Sequence, residues 1–119
     1  MFNRVAFIGI GLIGSSIARV MRRDNLASTI SACARTDETL DAVKRLNIAD
    51  ETTKDIAEAV QDADLVMICT PVSTYGAIAE AMAPVLKPGA IVTDVVSVKE
   101  SAVTAVMPHL PEGVHFVPG

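Results

Sequence analysis

The fold is decided by the stretch Arg4-Val-Ala-Phe-Ile-Gly9-Ile-Gly11-Leu12-Ile13-Gly14-Ser-Ser-Ile-Ala-Arg19. Its apolar start, residues 5–8, predicts a short buried strand. After the glycines, apolar residues recur at helical spacing and predict an amphipathic helix whose inward face carries Ile13, Ile17, Val20 and Met21. The stretch therefore predicts a strand, a tight glycine turn and a helix, in that order.

Each of the three glycines has a separate predicted role. Gly9 permits the tight turn, Gly11 has no Cβ and lets a pyrophosphate approach the backbone, and Gly14 lets the helix pack closely on the strand. The first turn of the helix, which includes Leu12 and Ile13, offers N–H groups and a positive dipole end to phosphates. A glycine turn that binds nothing is the alternative, but the spacing and context favour a dinucleotide site.

Composition limits the classes of protein to which the chain can belong. Its 119 residues suffice for one domain, and half are hydrophobic while only 3% are aromatic. Small aliphatic side chains suit a parallel sheet that is covered on both faces. The net charge of −4 argues against nucleic acid or an anionic membrane as a partner. No apolar run approaches the roughly 20 residues of a membrane span, and no signal peptide is visible, so we expect a cytoplasmic protein.

The two cysteines suggest no special chemistry. Cys33 and Cys69 lie in separate predicted strands, and neither belongs to a metal-binding or C-x-x-C spacing. We expect buried, reduced thiols and no metal site.

Strand and helix signals alternate along the rest of the chain. Thr36 or Asp37 is suited to cap a second helix with Leu40, Val43 and Leu46 inward, and Asp55 to cap a short helix over 56–60. Further strands are predicted at 29–34, 48–49, 64–70, 90–94 and 114–117, and further helices after residue 74 and over 97–107. This pattern predicts an α/β, Rossmann-type doubly wound fold with a mainly parallel sheet and helices on both faces. Its ligand should lie at the switch point between the first and fourth strands.

The end of the second strand bears on the choice of cofactor. NAD-binding proteins place an Asp or Glu about 20 residues after the glycine loop, to bind the ribose 2′-OH. This chain has Ala34 there, followed by Arg35 and Thr36. Because Arg35 can form charge-assisted bonds to a 2′-phosphate, NADP is favoured, although Arg35 is also compatible with NAD or with a solvated role. Asp37 is better explained as a helix cap.

Two later segments contribute further candidates. Thr70, Pro71 and Val72 follow the fourth strand, so their backbone should line the cofactor ribose, while Thr74 is better explained as an N-cap. Ser97 and Glu100 have the spacing of a capping box, and Ser97 is also expected beside the predicted nicotinamide position, so spacing leaves these two roles open. His109 and His115 have no carboxylate partner visible in the sequence, so no catalytic histidine is assigned.

Four motifs in order resemble the N-terminal half of the prephenate/arogenate (cyclohexadienyl) dehydrogenases of tyrosine biosynthesis. They are Gly9-x-Gly11-Leu-Ile-Gly14-Ser-Ser, Cys69-Thr-Pro-Val, Lys87-Pro-Gly-Ala-Ile-Val-Thr-Asp94-Val-x-Ser97-Val-Lys99, and Pro111-x-Gly-Val-His115-Phe-Val-Pro-Gly119. In that family the reaction is an oxidative decarboxylation with hydride transfer to NADP or NAD. The resemblance assigns the three glycines to the pyrophosphate, Arg35 to a 2′-phosphate, and Ser97 to hydrogen bonding at the substrate and the catalytic histidine.

The resemblance also implies what lies beyond these residues. The family's catalytic histidine follows directly after the Pro-Gly with which the sequence closes, and its helical substrate and dimerisation domain follows further on. We therefore expect residues 1–119 to be a cofactor domain that is inactive alone, and the full-length enzyme to be a homodimer acting on prephenate or arogenate. Two alternatives are a non-catalytic dinucleotide-binding module and another Rossmann oxidoreductase, such as a β-hydroxyacid dehydrogenase.

Overall fold

The computed structural model describes residues 2–70, 74–94 and 113–117. Strands and helices alternate along them, as the sequence predicts. The strands are β1 (Phe2–Ile8), β2 (Ala27–Cys33), β3 (Glu51–Thr53), β4 (Leu65–Ile68), β5 (Ile91–Asp94) and β6 (His115–Val117). The helices are α1 (Gly11–Arg23), α2 (Asp37–Arg45), α3 (Ile56–Val60) and α4 (Tyr75–Met82).

All six strands join one parallel sheet in the order β3-β2-β1-β4-β5-β6. The register pairs Ile8 with Cys33 on one side and with Ile68 on the other. The chain builds outward from β1 to β3, then crosses back to place β4 on the other side of β1. This confirms the Rossmann-type fold and places the switch point between β1 and β4, where ligands of such sheets bind.

Helices cover both faces of the sheet, and alternation along β1 shows how. Val5 and Phe7 belong to one buried cluster, which includes Ala18 and Met21 of α1 and Val43 of α2. Ala6 and Ile8 belong to the other, which includes residues 59–60 of α3 and 78–79 of α4. Because both faces of a central parallel strand are buried, its sequence is a continuous apolar run.

Two predicted core positions are wrong. Val20 is 41% exposed, because α1 turns Gly14, Ala18 and Met21 toward the sheet instead. Gly14 lies against the end of β4, since a Cβ there would be 3.0 Å from the Sγ of Cys69. Leu46 is 53% exposed since α2 ends at Arg45, and Asn47 follows with a positive φ of 55°. In both cases the helical spacing of apolar residues includes one residue that does not pack against the sheet.

The third strand lies later than predicted. Ile48 and Ala49 are buried, but the ladder with β2 forms at 51–53. Asp50 begins this ladder, since its backbone N–H donates to the carbonyl of Ile30 and its carboxylate accepts from the Ile30 N–H. The short helix over 56–60 is as predicted, with the Asp55 carboxylate accepting from the Ala57 N–H at its start.

Charged residues pair with one another at the amino edge of the sheet. Arg4 makes two parallel hydrogen bonds to the Glu51 carboxylate, at 2.8 and 2.9 Å. Asp64 accepts from the backbone N–H groups of Asn3 and Arg4 and pairs with Lys87. These contacts join the starts of β1 and β4 and tie β1 to β3.

In the described ranges, no helix has the length and apolar character to cross a membrane. The helix predicted over 97–107 lies outside the described residues.

Candidate functional site: a cleft at the carboxyl ends of the strands

Gly9 makes the turn that leaves β1 at the switch point. Its φ is +73°, a left-handed conformation that residues with a Cβ rarely adopt. A Cβ built there would lie 2.5 Å from the Cγ2 of Thr70, closer than such atoms can approach. The Gly9 N–H donates to the carbonyl of Cys33 at 2.7 Å, which ties the turn to the end of β2. Both the backbone and the space around it therefore require glycine.

Gly14 brings helix α1 against the end of β4. A Cβ at this position would lie 3.0 Å from the Sγ of Cys69, so the thiol occupies the space that a larger residue would need. Burial raises the pKa of Cys69 to about 12 and that of Cys33 to about 11. Both cysteines are free thiols, as predicted. They act as packing groups here, because neither ionises near neutral pH.

The first turn of α1 begins at Gly11, two residues after Gly9. Its N-cap is Ile10, whose side chain has no acceptor that could satisfy the first N–H groups of the helix. Gly11, Leu12 and Ile13 contribute the backbone of this turn. A helix start with an apolar cap retains the donors and the positive dipole end that an anion can use.

The ends of β2 and β3 are tied together beside this turn. The N–H of Ala34 donates to the carbonyl of Thr53 at 3.2 Å. Arg35 and Thr36 follow Ala34, and Lys54 follows Thr53, so two cations emerge side by side. Thr36 is the N-cap of α2, its hydroxyl accepting from the Thr39 N–H at 3.3 Å, which settles the choice between Thr36 and Asp37 as cap.

A cleft of about 650 Å³ opens at this edge of the sheet. Its floor is largely apolar, and its polar side chains follow the ends of three strands, β2, β3 and β4. It is lined by Ile8, Gly9, Ile10, Cys33, Ala34, Arg35, Thr36, Thr39, Lys54, Ile56, Thr70, Thr74, Ala77 and Ile78. Small, mostly apolar clefts with a few convergent polar groups are typical of cofactor sites in this kind of sheet.

The threonines of the cleft wall hold each other. The hydroxyls of Thr70 and Thr74 are 2.8 Å apart, within hydrogen-bond distance. Thr74 is at the N-cap position of α4, as predicted, but its side chain does not accept a capping bond from the described part of that helix. The pair fixes the side of the cleft that faces Gly9.

Lys54 and Arg35 give the cleft its positive charge. Lys54 forms an ion pair with Asp37, with 3.1 Å between its Nζ and the Asp37 Oδ1. Arg35 is exposed, and within the described ranges no carboxylate lies in ion-pair distance of it. Together they fit an anionic group placed beyond Ala34, where a carboxylate would repel one.

The structure brings several predicted site residues together. Gly9, Arg35, Thr36 and Thr70 line the same cleft, and Gly14 packs behind it. Their ligand roles stay predictions. Pro71, Val72 and Ser97, proposed for the ribose and the substrate, lie outside the described residues.

Lys54 lines the cleft but was not predicted from the sequence. The predicted third strand ended at residue 49, whereas the strand ends at Thr53. Because β3 ends at Thr53, Lys54 is the first residue after this strand at the carboxyl edge. Arg35 is the second residue after β2, so the two have similar positions at the ends of neighbouring strands. Asp50, which directly precedes the strand and hydrogen-bonds with Ile30 of β2, was the signal that could have corrected the boundary.

The chain matches a family model described as "Prephenate dehydrogenase, nucleotide-binding domain" over residues 17–119. The chain belongs to this family. A curated relative, the cyclohexadienyl dehydrogenase of Zymomonas mobilis, is 41% identical over 111 residues, which are 93% of this chain and 38% of the relative. As the nucleotide-binding domain of a prephenate dehydrogenase-type protein, the chain spans about two fifths of such relatives.

Solved structures agree with the family. The prephenate dehydrogenase of A. aeolicus, in complex with hydroxyphenyl propionate and NAD⁺, superposes with a TM-score of 0.87 at 30% identity. The alignment covers 99% of this chain and 41% of that one. Synechocystis arogenate dehydrogenase aligns with a TM-score of 0.73 at 34% identity, over 86% of this chain and 37% of its own. These relatives are oxidoreductases of the same family.

Proposed function

We propose that the carboxyl-edge cleft binds NADP, and NAD more weakly, as the cofactor site of a prephenate or arogenate dehydrogenase. The observation that carries this proposal is the pairing of two features in one cleft. One is a glycine turn in which a Cβ at Gly9 would clash, and the other is the cation of Arg35 directly after Ala34, the position at which NAD-specific proteins have a carboxylate. The A. aeolicus relative was solved with NAD⁺, which supports a dinucleotide in the corresponding domain.

In this proposal the chain's residues divide the dinucleotide between them. The backbone of the glycine turn and the first turn of α1 hold the pyrophosphate, since Gly11 has no side chain and the helix start offers N–H groups. Arg35 and Thr36 hold the 2′-phosphate of the adenosine. Thr70, with Pro71 and Val72 after it, lines the ribose nearer the reacting ring.

The chemistry supplied by the bound cofactor is acceptance of a hydride by its nicotinamide ring. This chain's part is to bind and orient, because the turn and the two strand ends fix the cofactor across the edge of the sheet. In this proposal Ser97 takes part in hydrogen bonding at the substrate and the catalytic histidine. We propose that the histidine that polarises the substrate hydroxyl, the remainder of the substrate pocket and the dimer contacts belong to residues outside 1–119.

Family membership favours this proposal over another Rossmann oxidoreductase. Experiment must distinguish the proposed dehydrogenase domain from the second alternative, a non-catalytic dinucleotide-binding module. That module would bind the dinucleotide but belong to a native protein that turns over neither prephenate nor arogenate.

The test measures binding and turnover separately. Titration calorimetry with NADP⁺ and NAD⁺ is expected to show one site per chain, tighter for NADP⁺. Absorbance at 340 nm with prephenate or arogenate is expected to show no turnover by the 119 residues, and turnover of at least one substrate by the native protein that carries them. If the protein binds neither NADP⁺ nor NAD⁺, the proposed cofactor site is wrong. If the 119 residues alone turn over a substrate, the proposal that the catalytic histidine lies outside them is wrong.

A further inference from the structure

Lys54 is a cation of the cleft that has no part in the proposed division of the dinucleotide. It lies directly after β3 and lines the cleft together with Arg35, Thr36 and Thr39. Its side chain is 54% exposed, and its ammonium is paired with Asp37, which is 79% exposed. Asp37 does not line the cleft, so the lysine is held between the cleft and a carboxylate outside it.

This ion pair is one that a ligand can displace. Exposed pairs of a flexible lysine with a carboxylate contribute little to stability, because water screens both charges. A phosphate carries more charge and more acceptor oxygens than a carboxylate, and charge-assisted bonds to it are the stronger ones. Asp37 does not depend on Lys54, since it lies in the first turn of α2, where the helix dipole favours a negative charge.

The charged groups near Lys54 also favour its binding to a phosphate. The Asp55 carboxylate, close to Lys54 in sequence, is already engaged by the Ala57 N–H. Arg35 approaches the same region from the end of β2, tied to β3 by the Ala34–Thr53 bond. A 2′-phosphate bound by Arg35 would therefore have a second cation on the β3 side.

We propose that Lys54 is a second specificity residue. It gives up its ion pair with Asp37 and binds the 2′-phosphate of NADP on the side opposite Arg35. The inference rests on the proposed cofactor site. It assigns recognition of the 2′-phosphate to two strand ends, β2 and β3, rather than to β2 alone. Asp37 becomes a competitor that weakens the lysine's hold on the phosphate.

The test compares the affinities of the purified protein for NADP⁺ and NAD⁺ by titration calorimetry. Lys54→Met removes the ammonium and keeps most of the stem, so NADP⁺ should bind on the order of tenfold more weakly while NAD⁺ changes less than twofold. Asp37→Asn frees Lys54, so NADP⁺ should bind roughly twofold to threefold more tightly. Lys44→Met is the matched control, because Lys44 is an exposed lysine of α2 that lines a different hollow.

The outcomes separate this inference from the proposal beneath it. If the unsubstituted protein binds neither dinucleotide, the cofactor site itself is wrong. If it binds NADP⁺ and Lys54→Met weakens both dinucleotides alike, weakens neither, or acts no more than Lys44→Met, the inference is wrong and the site stands. A selective loss in Lys54→Met with a gain in Asp37→Asn supports both.

Discussion

The two edges of the sheet use charge in opposite ways. At the amino edge, Arg4 is paired with Glu51, and Asp64 with Lys87 and two backbone N–H groups. At the carboxyl edge, the strand ends present a glycine turn, threonine hydroxyls and the cations of Arg35 and Lys54 around an apolar cleft.

This difference follows from what each edge does. Charges at the amino edge hold strands in register, so their partners lie within the chain. At the carboxyl edge, within the described ranges, Arg35 has no carboxylate at ion-pair distance, and the exposed pair of Lys54 with Asp37 can give way to a ligand. Replacing charged residues at the amino edge should therefore lower the free energy of unfolding and leave the affinity for NADP⁺ unchanged. Replacing charged residues at the carboxyl edge should lower the affinity and leave the free energy of unfolding unchanged.

The largest expected effect is that of Gly9→Ala. The added Cβ meets Thr70 at 2.5 Å, and Thr70 can yield only by disturbing its hydroxyl contact with Thr74. We expect NADP⁺ affinity to fall by about 100-fold, together with a loss of stability of about 2 kcal/mol from the left-handed backbone and the clash.

Gly89→Ala is the matched control, measured by the same titration and by urea unfolding. Gly89 has a φ of +86°, but apart from its two chain neighbours no atom of residues 2–70, 74–94 and 113–117 lies within 4 Å of a Cβ there. It should therefore lose stability of about 1 kcal/mol while keeping its affinity. Equal affinity losses in both variants would show that the Gly9 turn has no special place in the site.

Asp64→Ala should produce the opposite pattern. It removes the acceptor of two backbone N–H groups and the partner of Lys87, so we expect a loss of about 1–3 kcal/mol in the free energy of unfolding. NADP⁺ affinity should stay within twofold, because the residue lies at the far edge. Glu80→Ala, at an exposed position of α4, is the control and should change neither quantity.

Arg35→Ala should affect affinity alone. NADP⁺ should bind about 10–30-fold more weakly, while NAD⁺ affinity and the urea midpoint stay close to those of the unsubstituted protein. Arg45→Ala removes an exposed arginine from the other end of α2 and serves as the control. An equal loss for both dinucleotides would mean that Arg35 does not read the 2′-phosphate.

The amino edge should also give the fold a specific pH dependence. The hydrogen bond from Lys87 lowers the pKa of Asp64, and the Arg4 guanidinium lowers that of Glu51. A lowered folded-state pKa means that the stabilisation is present above the unfolded value, near 4, and is lost as pH falls through the folded value. Urea midpoints measured from pH 6 to pH 2 should fall less steeply for Asp64→Asn, and an unchanged slope would contradict the role of this carboxylate.

The smallest effect concerns the packing behind the site. Gly14→Ala places a Cβ 3.0 Å from the Cys69 Sγ and should cost up to about 1 kcal/mol of stability. Adding Cys69→Ala removes the sulfur, so the double variant should lose less than the sum of the single losses. If the stability losses of the two single variants add up to that of the double variant in thermal unfolding, the Cβ at position 14 does not press on the Cys69 sulfur.

The sequence predicted most of the carboxyl edge because glycine spacing and strand ends are local signals. Gly9, Arg35, Thr36 and Thr70 could be placed in one cleft from the doubly wound topology alone. Lys54 could not, because an apolar pair at 48–49 resembled the strand that the hydrogen bonds of Asp50 place at 51–53. The amino edge was not predicted, since the Arg4–Glu51 and Asp64–Lys87 pairs join residues 47 and 23 positions apart. Such pairs depend on register, which spacing does not encode.

The most direct test of the contrast between the edges is an amide titration. NADP⁺ is added to ¹⁵N-labelled protein, and backbone N–H shifts are followed at both edges by NMR. The account predicts large shifts at Gly9, Gly11, Gly14, Arg35 and Thr36, and small ones at Arg4, Glu51 and Asp64. Shifts confined to the amino edge, or none at the glycine turn under saturating NADP⁺, would contradict the claim that the carboxyl-edge cleft is the cofactor site.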